Sequence, residues 1–157
     1  MKRFDMLECK VMATPMDSNL KLLADDSLEL VVVTHYRQII GSLMYLTNTR
    51  PNICFVVNTL SQYLVQPRRV HQIAAKHVMR YLKGTIDFGL YYDGSHEYRL
   101  YGYTDADWAG SISNRKSTLG RYFCLGSAMS SWFSRKQSSV SRSMAEAEYI
   151  ADCSAKL

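Results

Sequence analysis

Tyr101-Gly102-Tyr103-Thr104-Asp105-Ala106-Asp107-Trp108-Ala109-Gly110 is the stretch on which the reading of this chain turns. The run up to Thr104 reads as a strand, and Asp107 to Lys116, with Gly110, Asn114 and Arg115, reads as a polar loop. Further on, Ala145-Glu146-Ala147-Glu148-Tyr149 falls in a predicted helix. One acid, Asp105, is therefore expected at a strand end and another inside a helix. The chain stops at Leu157, soon after that helix. A site needing a full set of metal-holding carboxylates is expected to be incomplete here.

The helix announces its own start. Ser143-Met144-Ala145-Glu146 is a capping-box pattern, in which a serine N-cap is followed three residues on by a Glu that reaches back to it. Glu146 thus has a structural role. Glu148 lies about 200° further round the helix, so both acids cannot face one sheet.

Working outward, Gly120 to Leu125 and Met129 to Ser134 read as two strands joined across Gly126-Ser127-Ala128. Arg135 to Arg142 is expected to be a basic, Ser-rich loop. Before the decisive stretch, Phe88, Leu90 and Tyr92 alternate, then Asp93-Gly94-Ser95 turns the chain toward Tyr98 and Leu100. This predicts a hairpin, with the acid-bearing strand central in the sheet.

The period changes from two to 3.6 in the first half. Tyr36, Ile39, Ile40, Leu43, Met44 and Leu46 make one apolar stripe. A second helix is expected from Thr49-Arg50-Pro51, where Pro near the first turn is harmless, with Ile53, Val56, Val57, Leu60, Tyr63 and Leu64 buried and Pro67 ending it. A third runs from Val70 to Lys83 with Val70, Ile73, Ala74, Val78, Tyr81 and Leu82 inward, Lys76, Arg80 and Lys83 outward, and Gly84 as a left-handed cap. Residues 1–35 are weakly patterned and are expected to be a connector, 36–95 a helical region, and 96–157 a mixed one.

Composition sets bounds. A chain of 157 residues with 47% hydrophobic and 21% charged residues can bury a core. Its +5 charge suits a nucleic-acid partner without requiring one. Cys9, Cys54, Cys124 and Cys153 are scattered, with no zinc spacing, and are expected to be reduced and mostly buried. The histidines form no evident triad or metal set, and Trp108 and Trp132 are expected in the core. No signal peptide is seen and no apolar run approaches the ~18 residues of a membrane span. An intracellular protein, cytoplasmic or nuclear, without a membrane is the expectation. Arg80-Tyr81-Leu82-Lys83 looks like an effector translocation signal, but a helix face explains it better.

Several stretches together resemble the Pol polyprotein of plant copia-type LTR retrotransposons. They are Tyr36-Arg37-Gln38-Ile39-Ile40-Gly41-Ser42-Leu43-Met44-Tyr45-Leu46 with Thr49-Arg50-Pro51-Asn52-Ile53; Ala74-Ala75-Lys76-His77-Val78-Met79-Arg80-Tyr81-Leu82-Lys83-Gly84-Thr85; Gly102 to Gly110; Arg115-Lys116-Ser117-Thr118; Ser131-Trp132; and Ala145 to Tyr149. The resemblance implies an α+β chain. A small helical connection subdomain that follows the polymerase palm would precede a truncated ribonuclease H-like fold of antiparallel strands and a first helix. The palm carboxylate motif is not in this sequence, so polymerase activity does not carry over.

In that family an Asp at the end of the first strand and a Glu in the first helix hold metal, which matches Asp105 and Glu148. Two Mg²⁺ ions about 4 Å apart would stabilise the attacking water and the leaving oxygen of the RNA strand of an RNA–DNA hybrid. The family supplies two further Asp ligands that this sequence does not contain, and Met144-Ala145 stands where Ser-Thr is usual. Metal binding is therefore expected to be weak and hybrid cleavage absent in this chain alone. Asp107 reads better as a turn former, and Asp152 as an unsuited replacement ligand. Arg115, Lys116, Arg135 and Lys136 are candidate phosphate contacts or simply a solvated loop. The implied partners are a hybrid or other nucleic acid, held weakly, and the remainder of the Pol polyprotein. The alternatives are a nucleic-acid-binding remnant and a co-opted host or effector interaction protein.

Overall fold

The computed structural model describes residues 4–17, 22, 29–95, 97–111 and 114–154. The fold is α+β, and the chain divides into two compact units, Met1–Gly89 and Leu90–Leu157.

The first unit holds helices α1 (Val33–Leu46), α2 (Cys54–Ser61) and α3 (Arg69–Gly84), with a 3₁₀ turn at Pro51–Ile53 leading into α2. Tyr36, Ile39, Ile40 and Leu43 of α1 are buried, following the i, i+3, i+4, i+7 rhythm. Met44 and Leu46 lie past that arc and are exposed. The four buried α1 residues meet Ile53, Val56, Val57 and Leu60, and Ala74, Ala75, Val78, Met79 and Tyr81 of α3, in one core. Ile73, expected inside, is exposed. The second helix is shorter than its pattern suggested; Tyr63 and Leu64 pack on the core from beyond its end. His71 is fully buried, accepts the Arg68 N–H at Nδ1 and stacks on Tyr63 at 3.8 Å.

A polar network seals the far end of this core. Arg50 donates to the Thr85 carbonyl at 2.9 Å and to its hydroxyl at 2.7 Å, while Asn52 donates to the Tyr81 hydroxyl. The Thr49–Ile53 and Tyr81–Thr85 motifs are thus structural partners.

The N-terminal part is more than a weak connector. Phe4 and Met6 are core residues, and Cys9, Met12 and Met16 pack against it. The outward cations of α3 hold this segment: Lys83 donates to the Leu7 and Cys9 carbonyls, Arg80 to that of Lys10 at 2.7 Å, and the His77 ring bonds that of Thr14 at 2.9 Å. Gly84 is the last residue of α3 and no left-handed cap, because Thr85 occupies the cap position. A Cβ at Gly84 would stand 3.2 Å from Val11 Cβ, so the close approach of the segment accounts for the glycine.

The second unit is an antiparallel sheet of β1 (Leu100–Asp107), β2 (Thr118–Leu125) and β3 (Ala128–Lys136), followed by α4 (Met144–Ser154). Strand order is β1-β2-β3, so the acid-bearing strand is an edge and not the centre. Among the described residues, 88–92 and 98–104 do not pair as the expected hairpin; β1 pairs instead with β2, Tyr103 opposite Tyr122 and Asp105 opposite Gly120. Phe88, Tyr92 and Tyr98 alternate but remain exposed, so their alternation has no face to bury. Arg135 and Lys136 belong to the end of β3, paired with Leu119 and Thr118, rather than to a loop. Gly126, at φ +63, makes the tight β2–β3 turn.

Helix α4 covers one sheet face. Ala147 and Ala151, one turn apart, pack with Ala106 and Leu119, and Phe133 lies beside them. Gln137 anchors the helix start: it donates to the Ala147 carbonyl at 3.0 Å and accepts the Ser141 hydroxyl at 2.9 Å. Ser143 accepts the Glu146 N–H at 3.2 Å, and the Glu146 carboxylate reaches back to the Arg142 N–H at 2.6 Å. That is the expected capping box with its return bond one residue earlier. Trp108 is not core: its ring is exposed and its indole N–H caps the Ser141 carbonyl at 3.2 Å. Trp132 is half-buried, and of the four cysteines, all free thiols, only Cys124 is buried.

Candidate functional site

Side chains alternate along a strand, so the placement of β1 residues follows from two contacts. Ala106 packs under α4, and the Thr104 hydroxyl donates to the Asp152 carboxylate of that helix. Thr104 and Ala106 therefore face α4. Asp105, between them, projects from the opposite face, where it is exposed and its Oδ1 accepts the Ala106 N–H at 2.9 Å. Its neighbours there are Tyr103, two residues back, and Gly120, directly opposite.

Glu148 is exposed on α4, one residue beyond buried Ala147 and one turn before Asp152. The structure thus brings Thr104 to Asp152, and sets Asp105 on the other side of the sheet from the helix that carries Glu148. Among the described residues, no three His, Cys, Asp or Glu side chains gather in a way that would hold a metal ion. Asp105 and Glu148, the pair expected as metal ligands, are thus not brought together on one face of the sheet.

Asp107 serves the turn. Its carbonyl accepts the Gly110 N–H at 3.4 Å, and its carboxylate lies over Gly110, where a Cβ would fall 1.9 Å from Oδ2. Ala109, at φ +53, donates its N–H to the buried Ser117 hydroxyl at 3.1 Å.

The four candidate phosphate contacts split into two kinds. Arg115 and Arg135 are exposed. Lys116 and Lys136 are half-buried and face neutral oxygens: Lys116 donates to the Ser138 carbonyl, Lys136 to the Ser111 hydroxyl at 2.7 Å. Partial burial, and then the neighbouring Lys116 charge, lower the Lys136 ammonium below the ordinary lysine range. The loop and the end of β3 together form a cationic corner.

One group escaped the sequence reading. Tyr101, Tyr103 and Tyr122 make a ladder on the face of Asp105. Tyr101 meets Tyr103 edge-on at 5.9 Å, and Tyr103 stacks on Tyr122 at 5.1 Å. The signal was present as tyrosines two apart on β1, but only the β1–β2 register places the third beside them.

No protein-family model matches the chain, and no solved structure does. Among known proteins it is 44% identical over 157 residues to the retrovirus-related Pol polyprotein from transposon RE2 of Arabidopsis thaliana, covering 99% of this chain and 11% of that one. It is 40% identical over 158 residues to the retrovirus-related Pol polyprotein from transposon TNT 1-94 of Nicotiana tabacum, covering 96% of this chain and 12% of that one. It is also 42% identical over 117 residues to the secreted RxLR effector protein 161 of Plasmopara viticola, covering 74% of this chain and 82% of that one. The chain spans about a tenth of the Pol polyproteins it matches. With the retroelement motifs running in register from Tyr36 to Tyr149, the chain belongs to the Pol polyproteins of plant copia-type retrotransposons.

Proposed function

We propose that this chain is the part of a retrotransposon Pol polyprotein that joins the polymerase to its ribonuclease H domain. In this reading the helical unit is the connection region and the second unit is the first part of a ribonuclease H-like domain. The ancestral activity is Mg²⁺-dependent cleavage of RNA in RNA–DNA hybrids, and residues 1–157 alone do not carry it out. The observation that carries this reading is the placement of Asp105 and α4 on opposite sheet faces. Two carboxylates so placed do not make a two-metal site, which is why hybrid cleavage is not expected of these residues alone. Asp105 and Glu148 are then inherited ligand positions, and Arg115, Lys116, Arg135 and Lys136 are residual phosphate contacts, whose binding weakens steeply with salt.

The test is cleavage of a labelled RNA–DNA hybrid by the folded chain in Mg²⁺ and in Mn²⁺, beside Asp105→Asn. Neither protein is expected to cleave. Cleavage by the wild type that Asp105→Asn abolishes would show a working site and sink the reading. A second reading, an interaction protein co-opted from the same ancestry, draws on the likeness to the secreted effector. It predicts a monodisperse, cooperatively unfolding chain with no affinity for hybrid at ~50 mM salt.

A further inference from the structure

The uncovered face of the sheet has its own chemistry. Helix α4 takes the side of Ala106 and Leu119, while Tyr101, Tyr103 and Tyr122 on the other side remain 40%, 55% and 37% exposed. Half-open rings in mutual contact are costly to leave in water and carry polar hydroxyl tips, which suits planar partners better than aliphatic ones. Trp132 stands directly opposite Tyr122, which extends the aromatic row across all three strands. Gly120, two residues from Tyr122 on β2, has nothing within 4 Å of where a Cβ would stand, so the sheet surface is open beside the rings.

The face also has a charged end. Lys136 lies on the same side of β3 as Trp132. Four residues of strand separate them, roughly 13 Å, which is about two nucleotides of an extended single strand. Arg115 and Lys116 flank that end through the loop held by Ser111 and Ser138. Asp105 and Asp107 border the β1 side, which would keep a phosphate backbone toward β3.

From this arrangement we infer that the Tyr101–Tyr103–Tyr122–Trp132 face is a stacking surface for the unpaired bases of a short single strand of nucleic acid, whose phosphates lie toward Lys136 and Lys116. Stacking on aromatic rings tolerates any base, so little sequence preference is expected. This ligand differs from the hybrid duplex of the proposed ancestral reaction, although both readings share a nucleic-acid partner.

The experiment is fluorescence anisotropy of a labelled oligothymidylate with the full chain at ~50 mM salt, beside a duplex of the same length. The single strand is expected to bind more tightly than the duplex and to quench tryptophan emission. Replacing both Tyr103 and Tyr122 by Leu is expected to weaken binding about tenfold or more, and replacing both by Phe to leave it within about twofold. No single-strand binding, a preference for duplex, or equal binding by the Leu variant would overturn the inference. So would a dimer that the Leu variant dissolves, since a second copy would then own the face. If the Leu variant does not melt cooperatively, the wild type and the Phe variant decide, and absence of tryptophan quenching overturns the inference. A hybrid-cleavage result of either sign leaves this readout unchanged.

Discussion

The Thr104 hydroxyl donates to the Asp152 carboxylate, tying the middle of β1 to the last turn of α4. With Ala106 under Ala147 and Ala151, that bond fixes which face of β1 the helix covers. Both side chains are exposed, so the bond is worth only about 0.5–1 kcal/mol. Asp152→Ala and Thr104→Val are each expected to lower unfolding stability by about that much. The double variant should lose little more than either single one. Urea titration of the four proteins measures the coupling, and additive losses would show that the pair does not act together.

The N-terminal segment depends on cations of α3. Lys83 and Arg80 donate to carbonyls of Leu7, Cys9 and Lys10, so removing both ammonium and guanidinium leaves those acceptors to water. Lys83→Ala with Arg80→Ala is expected to free residues 7–10 for protease cleavage and to cost about 1–2 kcal/mol. The α1–α2–α3 core should stay cooperative. Limited proteolysis followed by mass spectrometry is the check, and unchanged cleavage of the segment would count against the clamp.

Gly102 lies opposite Phe123, whose ring atoms would stand 2.6 Å from a Cβ there. The ring covers the glycine, and any side chain must push it off. Gly102→Ala is therefore expected to destabilise the chain by about 1–3 kcal/mol, against the small gain that alanine usually brings to a strand. Thermal melts compare the two proteins. A variant as stable as the wild type would mean that Phe123 moves freely.

These cases show where the sequence was legible. The capping box at Ser143–Glu146 and the buried arc Tyr36–Leu43 depend on residues within two turns of each other, and local spacing revealed both. Gly84 was misread as a cap because its reason, Val11, lies far back in the chain. The alternation of Phe88 and Tyr92 was genuine, but a strand needs a partner, and β1 found a better one in β2. The motif around Asp105 was recognisable as retroelement sequence. Which face its carboxylate takes was not, because that depends on where α4 docks. The tyrosine ladder was invisible for a different reason: it exists only in the β1–β2 register.

Tyr36 gives a prediction in alkaline solution. Its ring is fully buried, its hydroxyl donates to the Leu60 carbonyl at 2.8 Å, and burial, then the neighbouring Tyr63, raises its pKa well above the ordinary tyrosine value. The folded chain therefore holds this proton more tightly than the unfolded chain does. Well below pH ~10, where both states are protonated, the group gives no pH dependence; as pH rises through ~10 the unfolded state ionises first and stability falls. Tyr63, raised by burial as well, acts in the same direction. Tyr36→Phe is expected to cost about 1 kcal/mol at pH ~8 through the lost hydrogen bond, and to flatten the decline between pH ~9 and ~11. Urea unfolding across that range measures both effects, and an equally steep decline in the variant would assign it to other groups.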